Sequence, residues 1–172
     1  SAVAMGLLKK GYSVSGSDLV KNNETNKLEQ LGAVIFTSQI RQNIEFVTSK
    51  FNNKLINCVV SSAIKLENEE FSYCRKKNLT IKHRSDILAM LMQTYNALAV
   101  AGSHGKTSTS TFLSTLLELC THNSSSITGG IIPIYNSNCH LENTKFLVAE
   151  VDESDGTINK YKSDIGIINN ID

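Results

Sequence analysis

Short apolar runs alternate with helix-like amphipathic stretches along most of the chain. Runs that predict strands occupy residues 13–16, 33–36, 55–62, 79–83, 95–102, 145–152 and 164–169. Helices are predicted between several of these runs, over residues 24–31, 68–77, 86–93 and 107–119. Continuous apolar strands that alternate with helices are typical of parallel sheets covered by helices. The pattern therefore predicts an α/β protein, with residues 55–62 as a buried strand.

Three stretches carry a weaker pattern. Residues 38–51 show no clear periodicity, and residues 122–126 have the composition of a polar connection. The following residues contain Gly129 and Gly130, and an irregular segment is expected around Pro133. The sequence predicts no helix or strand with any clarity in these stretches.

The two ends of the sequence resemble the interior of an α/β chain. Apolar positions among residues 2–8 predict a helix that Gly11 ends, with a short strand after it. This is the second half of a β-α-β unit whose first strand is missing. The other end follows an apolar strand directly, where functional loops of α/β proteins lie. We therefore expect an internal fragment of a longer protein, with a domain boundary near Arg84.

Composition and charge exclude several classes of protein. Hydrophobic residues make up 41% and charged residues 19% of 172 positions, which excludes a disordered or collagen-like chain. A net charge of +1 gives no electrostatic basis for binding nucleic acid. The apolar runs fall short of the roughly 20 residues that span a bilayer, so no membrane insertion is expected. Four cysteines without CxxC spacing predict free thiols in a reducing compartment, and we expect a cytoplasmic protein.

The strongest chemical signal is a glycine-containing loop between an apolar strand and a long helix. Backbone N–H groups where the helix begins can cradle phosphate oxygens, and Gly105 lets the backbone approach them closely. Lys106 can reach β- and γ-phosphates, and the Thr107 hydroxyl can bind Mg²⁺. The match to GxxxxGK(S/T) is incomplete, because Val100 occupies the first glycine position. An ordinary glycine turn is the alternative, but the strand, the GKT triplet and the amphipathic helix together favour a nucleotide loop.

A magnesium–nucleotide site also needs a carboxylate at the end of a neighbouring strand. The apolar run of residues 146–149 is followed by four acids, which are Glu150, Asp152, Glu153 and Asp155. Four acids within six residues repel one another unless a cation is near. A solvated acidic loop is the alternative interpretation.

Two strand ends give weaker signals. Asp18, in the segment SGSD, stands where doubly wound domains often bind a ribose hydroxyl, although a simple turn also explains it. Ser61 and Ser62 end a strand and could donate to a phosphate or a uracil, or could cap a helix. His104, inside the glycine loop, could touch phosphate.

These motifs together resemble the Mur ligases, the ATP-dependent amide ligases of peptidoglycan synthesis. GSHGKTSTS is similar to the nucleotide loop of that family, which also lacks the first glycine. The segments at residues 15–18, 61–64, 84–92 and 149–155, together with the two adjacent glycines, resemble the alanine-adding members. The related murein tripeptide ligases usually have Tyr where this chain has Ser154. The resemblance runs in order along essentially the whole chain.

The resemblance assigns roles to individual positions. It implies that Lys106 and Glu150 are catalytic, and that Thr107 and Glu150 bind Mg²⁺. The ATP-binding loop would comprise Gly102, Ser103, His104, Gly105, Lys106, Thr107 and Ser108. The UDP-sugar side would comprise Asp18, Ser61, Gly129 and Gly130.

The same resemblance implies a fold and a reaction. Residues 1–84 would form a truncated Rossmann-like parallel-sheet domain that binds the UDP-sugar, without its first strand and glycine loop. Residues 85–172 would begin a P-loop-type α/β ATP-binding central domain. The implied reaction joins L-alanine to the lactyl carboxylate of UDP-N-acetylmuramate through an acyl phosphate, with ATP as the phosphoryl donor. We expect the fragment alone to be inactive, and the oligomeric state stays open.

Three other functions remain open at this stage. A murein tripeptide ligase of cell-wall recycling shares the motifs apart from the position of Ser154. A folylpolyglutamate synthase-like ligase shares the nucleotide loop, although the segment SGSD and the acidic run argue against it. A P-loop switch module would bind nucleotide without ligation.

Overall fold

The computed structural model describes residues 1–51, 55–152 and 156–171. The six α-helices of this described part are α1 Ala2–Lys9, α2 Asn23–Gln30, α3 Arg41–Lys50, α4 Glu69–Lys76, α5 Arg84–Met92 and α6 Lys106–Leu119. Its strands are β1 Ser15–Ser17, β2 Val34–Phe36, β3 Asn57–Val60, β4 Thr80–His83, β5 Asn96–Ala101, β6 Ser124–Ile132, β7 Ser137–His140, β8 Phe146–Glu150 and β9 Ile165–Ile168. Short 3₁₀ turns span Pro133–Tyr135 and Ile158–Lys160.

The first half of the chain contains two separate pairs of parallel strands. β1 pairs with β2 and β3 pairs with β4, and each pair is joined by a helix, α2 or α4. The two pairs are not hydrogen-bonded to each other; both β1 and β3 line a cleft of about 1270 Å³. The expected α/β architecture with parallel strands is confirmed, but here it consists of two half-sheets rather than one continuous sheet.

The prediction that residues 55–62 form a buried strand is wrong in extent and in burial. Only Asn57–Val60 is a strand, and its residues alternate between exposed and half-buried. β3 has a partner on one side only, and its other side faces the cleft. The apolar run at residues 55–62 therefore does not indicate a strand that is buried on both of its faces.

The second half forms one five-stranded sheet with the order β7-β6-β8-β5-β9. All neighbours are parallel except β6 and β7, which are antiparallel. The three interior strands, β6, β8 and β5, supply most of the buried residues of this sheet, and Leu147 and Val148 have no exposed surface. A parallel sheet with buried central strands is what the apolar runs at residues 95–102 and 145–152 predicted.

The polar connection expected at residues 122–126 is wrong from Ser124 onward, where β6 begins and the serines are completely buried, while residues 122 and 123 are exposed and precede the strand. The Ser126 hydroxyl donates to the Ser114 hydroxyl of α6 over 2.8 Å, and Ser114 donates to the Ser110 carbonyl over 2.8 Å. Small side chains let α6 lie close to the sheet, and the hydroxyl groups of Ser126 and Ser114 are satisfied at this contact. Serine composition therefore misled the sequence-based assignment.

Helix α3 lies in the stretch where no periodicity was visible. Its one fully buried residue is Asn43, a polar side chain on the face that packs inward. The Asn43 amide donates to the Ser38 carbonyl over 2.6 Å and to the Glu70 carboxylate over 2.7 Å. A buried residue that is polar but hydrogen-bonded hides the amphipathic pattern on which such a prediction depends.

Helices α1 and α5 join the two halves. α1 contacts α5, β6 and β7, and its Met5 is buried in the same apolar cluster as Met92 and Leu147. α5 begins at Arg84, where the domain boundary was predicted. The Lys160 ammonium and, to a smaller degree, the backbone N–H of His83 donate to the Asp86 carboxylate and hold the pKa of Asp86 below its usual value.

Two expectations from composition can be compared with the structure. Across the residues that the structure describes, no helix is both long enough and apolar enough to cross a membrane. All four cysteines are free thiols, as their spacing predicted. Burial raises the pKa of the Cys139 thiol to about 12, so this group is uncharged at neutral pH.

Leu147→Ala is expected to lower the free energy of unfolding by about 2–5 kcal/mol, because it leaves a cavity between the sheet and its helices. Leu119→Ala is the matched control, since this leucine is 77% exposed. Its change should stay within about 0.5 kcal/mol. Urea denaturation of the full-length protein measures both values, and equal stability of the two variants would contradict this description of the core.

Candidate nucleotide-binding site

The loop between β5 and α6 has a backbone that only glycine adopts easily. Gly102 has φ +133° and Gly105 has φ +78°, both in the region where a side chain causes strain. Gly105 is the N-cap of α6 in a left-handed conformation, and it has no side chain that could cap the first turn. The N–H groups of a helix start that lacks a side-chain cap are suited to an anion.

Thr107 and Glu150 meet beside this loop. Thr107 is in the first turn of α6, and Glu150 is the last residue of β8, paired in register with Val100 of β5. The Thr107 hydroxyl lies 3.0 Å and 3.2 Å from the two oxygens of the Glu150 carboxylate. The backbone N–H of Gly129 donates to the same carboxylate over 2.8 Å. A hydroxyl group and a carboxylate are thus held next to each other at the edge of the sheet.

This pair has the donor chemistry that Mg²⁺ requires. Mg²⁺ prefers oxygen ligands, and it commonly takes one or two from the protein and the rest from phosphates and water. In the described part of the chain, no cluster of three or more His, Cys, Asp or Glu residues could hold a metal alone. The hydroxyl of Thr107 and the carboxylate of Glu150 are oxygen donors of this kind, so these two residues would hold Mg²⁺ together with phosphate oxygens.

Gly129 and Gly130 pack directly against these two side chains. A Cβ atom at Gly129 would lie 2.9 Å from a Glu150 carboxylate oxygen, and one at Gly130 would lie 2.7 Å from the Thr107 methyl group. Both distances are shorter than side-chain contacts tolerate. The glycine pair, which the resemblance placed on the UDP-sugar side, therefore also makes the room in which Thr107 and Glu150 meet.

Lys106 faces the same region. It is the first residue of α6, its ammonium group donates to the Gly102 carbonyl, and it lines the cleft. A flexible side chain that bonds its own loop can turn toward an anion without any movement of the backbone. The lysine is thus within reach of phosphates bound at the start of α6.

The cleft joins the two groups of predicted site residues. Its lining includes Asp18 and Ser61 from the first half of the chain, and Lys106, Gly129 and Glu150 from the second half. Asp18 is exposed, and its carboxylate accepts the N–H of Val20 over 3.1 Å, as in a simple turn. That contact matches the turn interpretation, but the carboxylate still faces the cleft.

Lys106 is the one residue of the predicted loop among the described residues that line the cleft. The other predicted loop residues are absent from that lining, namely Gly102, Ser103, His104, Gly105, Thr107 and Ser108. The N–H of His104 donates to the side chain of Asn170 over 2.9 Å. The contact of His104 with phosphate therefore remains a prediction from sequence.

The acidic run is only partly described. Asp152 forms an ion pair with Arg84 over 3.2 Å at the cleft, which links β8 to the start of α5. Glu153, Ser154 and Asp155 lie outside the described residues. The expected acidic cluster and the discriminating serine therefore stay predictions.

Two hydrogen-bonded thiols lie in the cleft wall. Cys58 of β3 and Cys74 of α4 both line the cleft. The hydrogen bond between the two groups lowers the pKa of Cys58, while the same bond, together with burial, raises the pKa of Cys74. The two thiols face the half of the cleft that is formed by the first half of the chain.

Sequence reasoning missed three residues that the structure brings to the site. The Glu70 carboxylate accepts bonds from Ser17 of β1 and Asn43 of α3, so it connects three elements at the cleft wall. Asn169 and Asn170 follow β9 and bond to the nucleotide loop. The two asparagines could have been predicted, because they directly follow an apolar strand, where functional loops of α/β proteins lie.

Comparison with known proteins gives a family. The model of the Mur ligase family, catalytic domain, matches residues 1–96. UDP-N-acetylmuramate–L-alanine ligase of Prochlorococcus marinus subsp. pastoris is 73% identical over 172 residues, and the enzyme of that name from Synechococcus sp. (strain CC9311) is 44% identical over 173. The alignments cover this whole chain but only 36% and 35% of those proteins. The chain therefore spans about a third of the length of these curated relatives.

Solved structures agree on the fold. A UDP-N-acetylmuramate:L-alanyl-gamma-D-glutamyl-meso-diaminopimelate ligase from Neisseria meningitides superposes with a TM-score of 0.87 at 21% identity, covering 99% of this chain and 56% of that one. UDP-N-acetylmuramate-alanine ligase from Thermotoga maritima gives a TM-score of 0.84 at 24% identity, covering 97% and 37%. At these identities the likeness concerns the fold alone. With a family model that matches more than half of its residues, the chain belongs to the Mur ligase family.

Proposed function

We propose that this chain is part of an ATP-dependent, ADP-forming ligase that joins L-alanine to UDP-N-acetylmuramate in peptidoglycan biosynthesis. The observation that carries the proposal is the contact of Thr107 beside the glycine loop with Glu150, because Glu150 also lines the cleft that contains Asp18 and Ser61. The curated relatives at 41–73% identity are named for this reaction. Both the site and the relatives therefore support the same activity.

The reaction requires two anions to meet. The lactyl carboxylate of the sugar attacks the γ-phosphate of ATP, which gives an acyl phosphate and ADP. The amine of L-alanine then attacks the acyl carbon, the bond from that carbon to the phosphate oxygen breaks, and inorganic phosphate leaves while the nitrogen gives up a proton to form the amide. A carboxylate and a triphosphate repel each other strongly where water is scarce, so the protein must supply positive charge and alignment.

The residues on either side of the loop fit these tasks. The Lys106 ammonium would move from the Gly102 carbonyl to the phosphates, where it offsets negative charge. The start of α6 would present N–H groups to the same phosphates. Thr107 and Glu150 would hold Mg²⁺, which when bound neutralises part of the phosphate charge. Glu150 in turn is oriented by the N–H of Gly129.

The cleft suggests how the two substrates are divided between the two halves of the chain. We assign residues 1–84 to the UDP-sugar, with Asp18 and Ser61 as contacts, and residues 85–172 to ATP. Gly129 would lie near both substrates, because it lines the cleft and its N–H donates to Glu150. The substrates ATP and UDP-sugar and the free thiols are consistent with a cytoplasmic location.

A coupled phosphate-release assay on the full-length protein tests the proposed substrates. The protein should release phosphate with UDP-N-acetylmuramate, ATP and L-alanine, and much more slowly when the tripeptide L-alanyl-γ-D-glutamyl-meso-diaminopimelate replaces L-alanine. Preference for the tripeptide would show instead a murein tripeptide ligase. Nucleotide binding without phosphate release on either amine would show a P-loop switch module.

Lys106→Ala is expected to reduce this phosphate release by roughly 10²–10³, because the charge that offsets the phosphates is lost. Lys162→Ala, at an exposed lysine before β9, should leave the rate within about twofold. Circular dichroism should show the same fold for both variants. Turnover of Lys106→Ala close to that of Lys162→Ala would remove Lys106 from the site.

Gly129→Ala is expected to displace the Glu150 carboxylate, because the new methyl group would lie 2.9 Å from its oxygen. The Mg²⁺ concentration for half-maximal phosphate release should therefore rise by about tenfold. The matched control is Gly166→Ala on β9, where nothing lies within 4 Å of the added atom. Magnesium titrations that coincide for the two variants would contradict the proposed role of Gly129.

A further inference from the structure

Two consecutive asparagines hold the nucleotide loop from the neighbouring strand. Asn169 and Asn170 directly follow β9, which pairs in parallel with β5. The backbone N–H of Asn169 donates to the carbonyl of Ala101, the last residue of β5, over 3.1 Å. The hydrogen bonds between β5 and β9 therefore continue to the point where the loop begins. This places the side chains of both asparagines beside the loop.

The two side chains bond to the middle of the loop and to helix α6. Asn170 accepts the His104 N–H over 2.9 Å and donates to the His104 carbonyl over 3.3 Å. Asn169 donates to the same carbonyl over 3.2 Å and accepts from the Thr109 hydroxyl over 3.1 Å. Both backbone polar groups of His104 are thus fixed, and the first turns of α6 are tied to the same point.

The contact is close as well as hydrogen-bonded. A Cβ atom at Gly102 would lie 3.1 Å from the Asn169 side chain and from the Asn170 backbone nitrogen. One at Gly105 would lie 3.1 Å from the Asn169 amide nitrogen. Both glycines therefore serve two purposes, since they allow a positive φ and leave room for the asparagines.

We propose that Asn169 and Asn170 are positioning residues that set the loop in its phosphate-binding conformation; this inference rests on the proposed ATP-binding function. A loop with two glycines has many conformations, and ordering it on binding would weaken the affinity for nucleotide. The asparagines order the loop before the nucleotide arrives. Because the Asn170 side chain accepts the His104 N–H, this donor points to the clamp and not to a phosphate.

Hydrogen exchange of the nucleotide-free, full-length protein tests the clamp directly. In Asn169→Ala/Asn170→Ala, amides of residues 102–109 should exchange about tenfold faster than in the wild type, while other segments keep their rates. Asn143→Ala is the matched control, because this exposed residue precedes β8 at the end of that strand opposite Glu150. Unchanged loop exchange in the double variant would overturn the inference. Faster exchange throughout the protein would also overturn it, since the asparagines would then maintain the fold in general.

Calorimetric titration with MgATP and steady-state kinetics test the consequence for the nucleotide. The double variant should show a Kd and a KM for ATP about tenfold higher, with KM for UDP-N-acetylmuramate and L-alanine unchanged. Combined with Lys106→Ala, its effect should be smaller than in the wild-type background, because both changes act through one loop. If the wild type binds MgATP and the double variant binds it equally well, the inference alone fails. If the wild type binds no MgATP, the proposed function fails and the inference fails with it.

Discussion

The pairing of β5 with β8 is the constraint on which the site depends. These parallel strands end at the same edge of the sheet, so the loop after β5 and the carboxylate at the end of β8 must lie side by side. The in-register pair of Val100 with Glu150 sets that position to within one residue. The pairing of the two strands therefore brings Thr107 and Glu150 into contact, although 43 residues separate them along the chain.

Small residues make this arrangement possible from the other side. Helix α6 carries Ser110 and Ser114 toward β6, where Ser126 is buried against them. Gly129 and Gly130, farther along β6, leave the space that Glu150 and Thr107 occupy. Larger side chains at these positions would move α6 away from the sheet and separate the hydroxyl from the carboxylate. The short distance between α6 and the sheet therefore both packs the core and sets the geometry of the candidate metal site.

Local patterns predicted the parts of the protein whose signal is contained in a short stretch. The strand–loop–helix around Lys106 and the acid after an apolar run could be identified because each lies within a few residues. Elements whose buried polar residues bond to partners far along the chain were predicted wrongly or not at all. Ser125 and Ser126 look polar but are buried, because their hydrogen-bond partners lie in the loop before β8 and on α6. The polar Asn43 hid helix α3, since one of the two acceptors that satisfy its buried amide is Glu70 of α4, 27 residues farther along the chain.

The division of the first half into two strand pairs was equally beyond local reasoning. Each β-α-β unit is visible in the sequence, but whether β1 and β3 pair with each other is a property of the whole sheet. Asn169 and Asn170 escaped notice for a similar reason, because their role depends on a loop about 65 residues earlier in the chain. Sequence patterns thus indicated the chemistry of the site, whereas the structure supplied the residues that hold it in place.

Thr107 and Glu150 are proposed to hold together the metal of a bound nucleotide. A crystal structure of the full-length protein with ATP and Mn²⁺, with anomalous scattering used to locate the metal, would test this role. We expect one Mn²⁺ peak in direct contact with the Thr107 hydroxyl, a Glu150 oxygen and the phosphates, with the Lys106 ammonium turned from Gly102 toward them. Bound ATP whose metal touches neither Thr107 nor Glu150 would show that the two residues do not form the metal site.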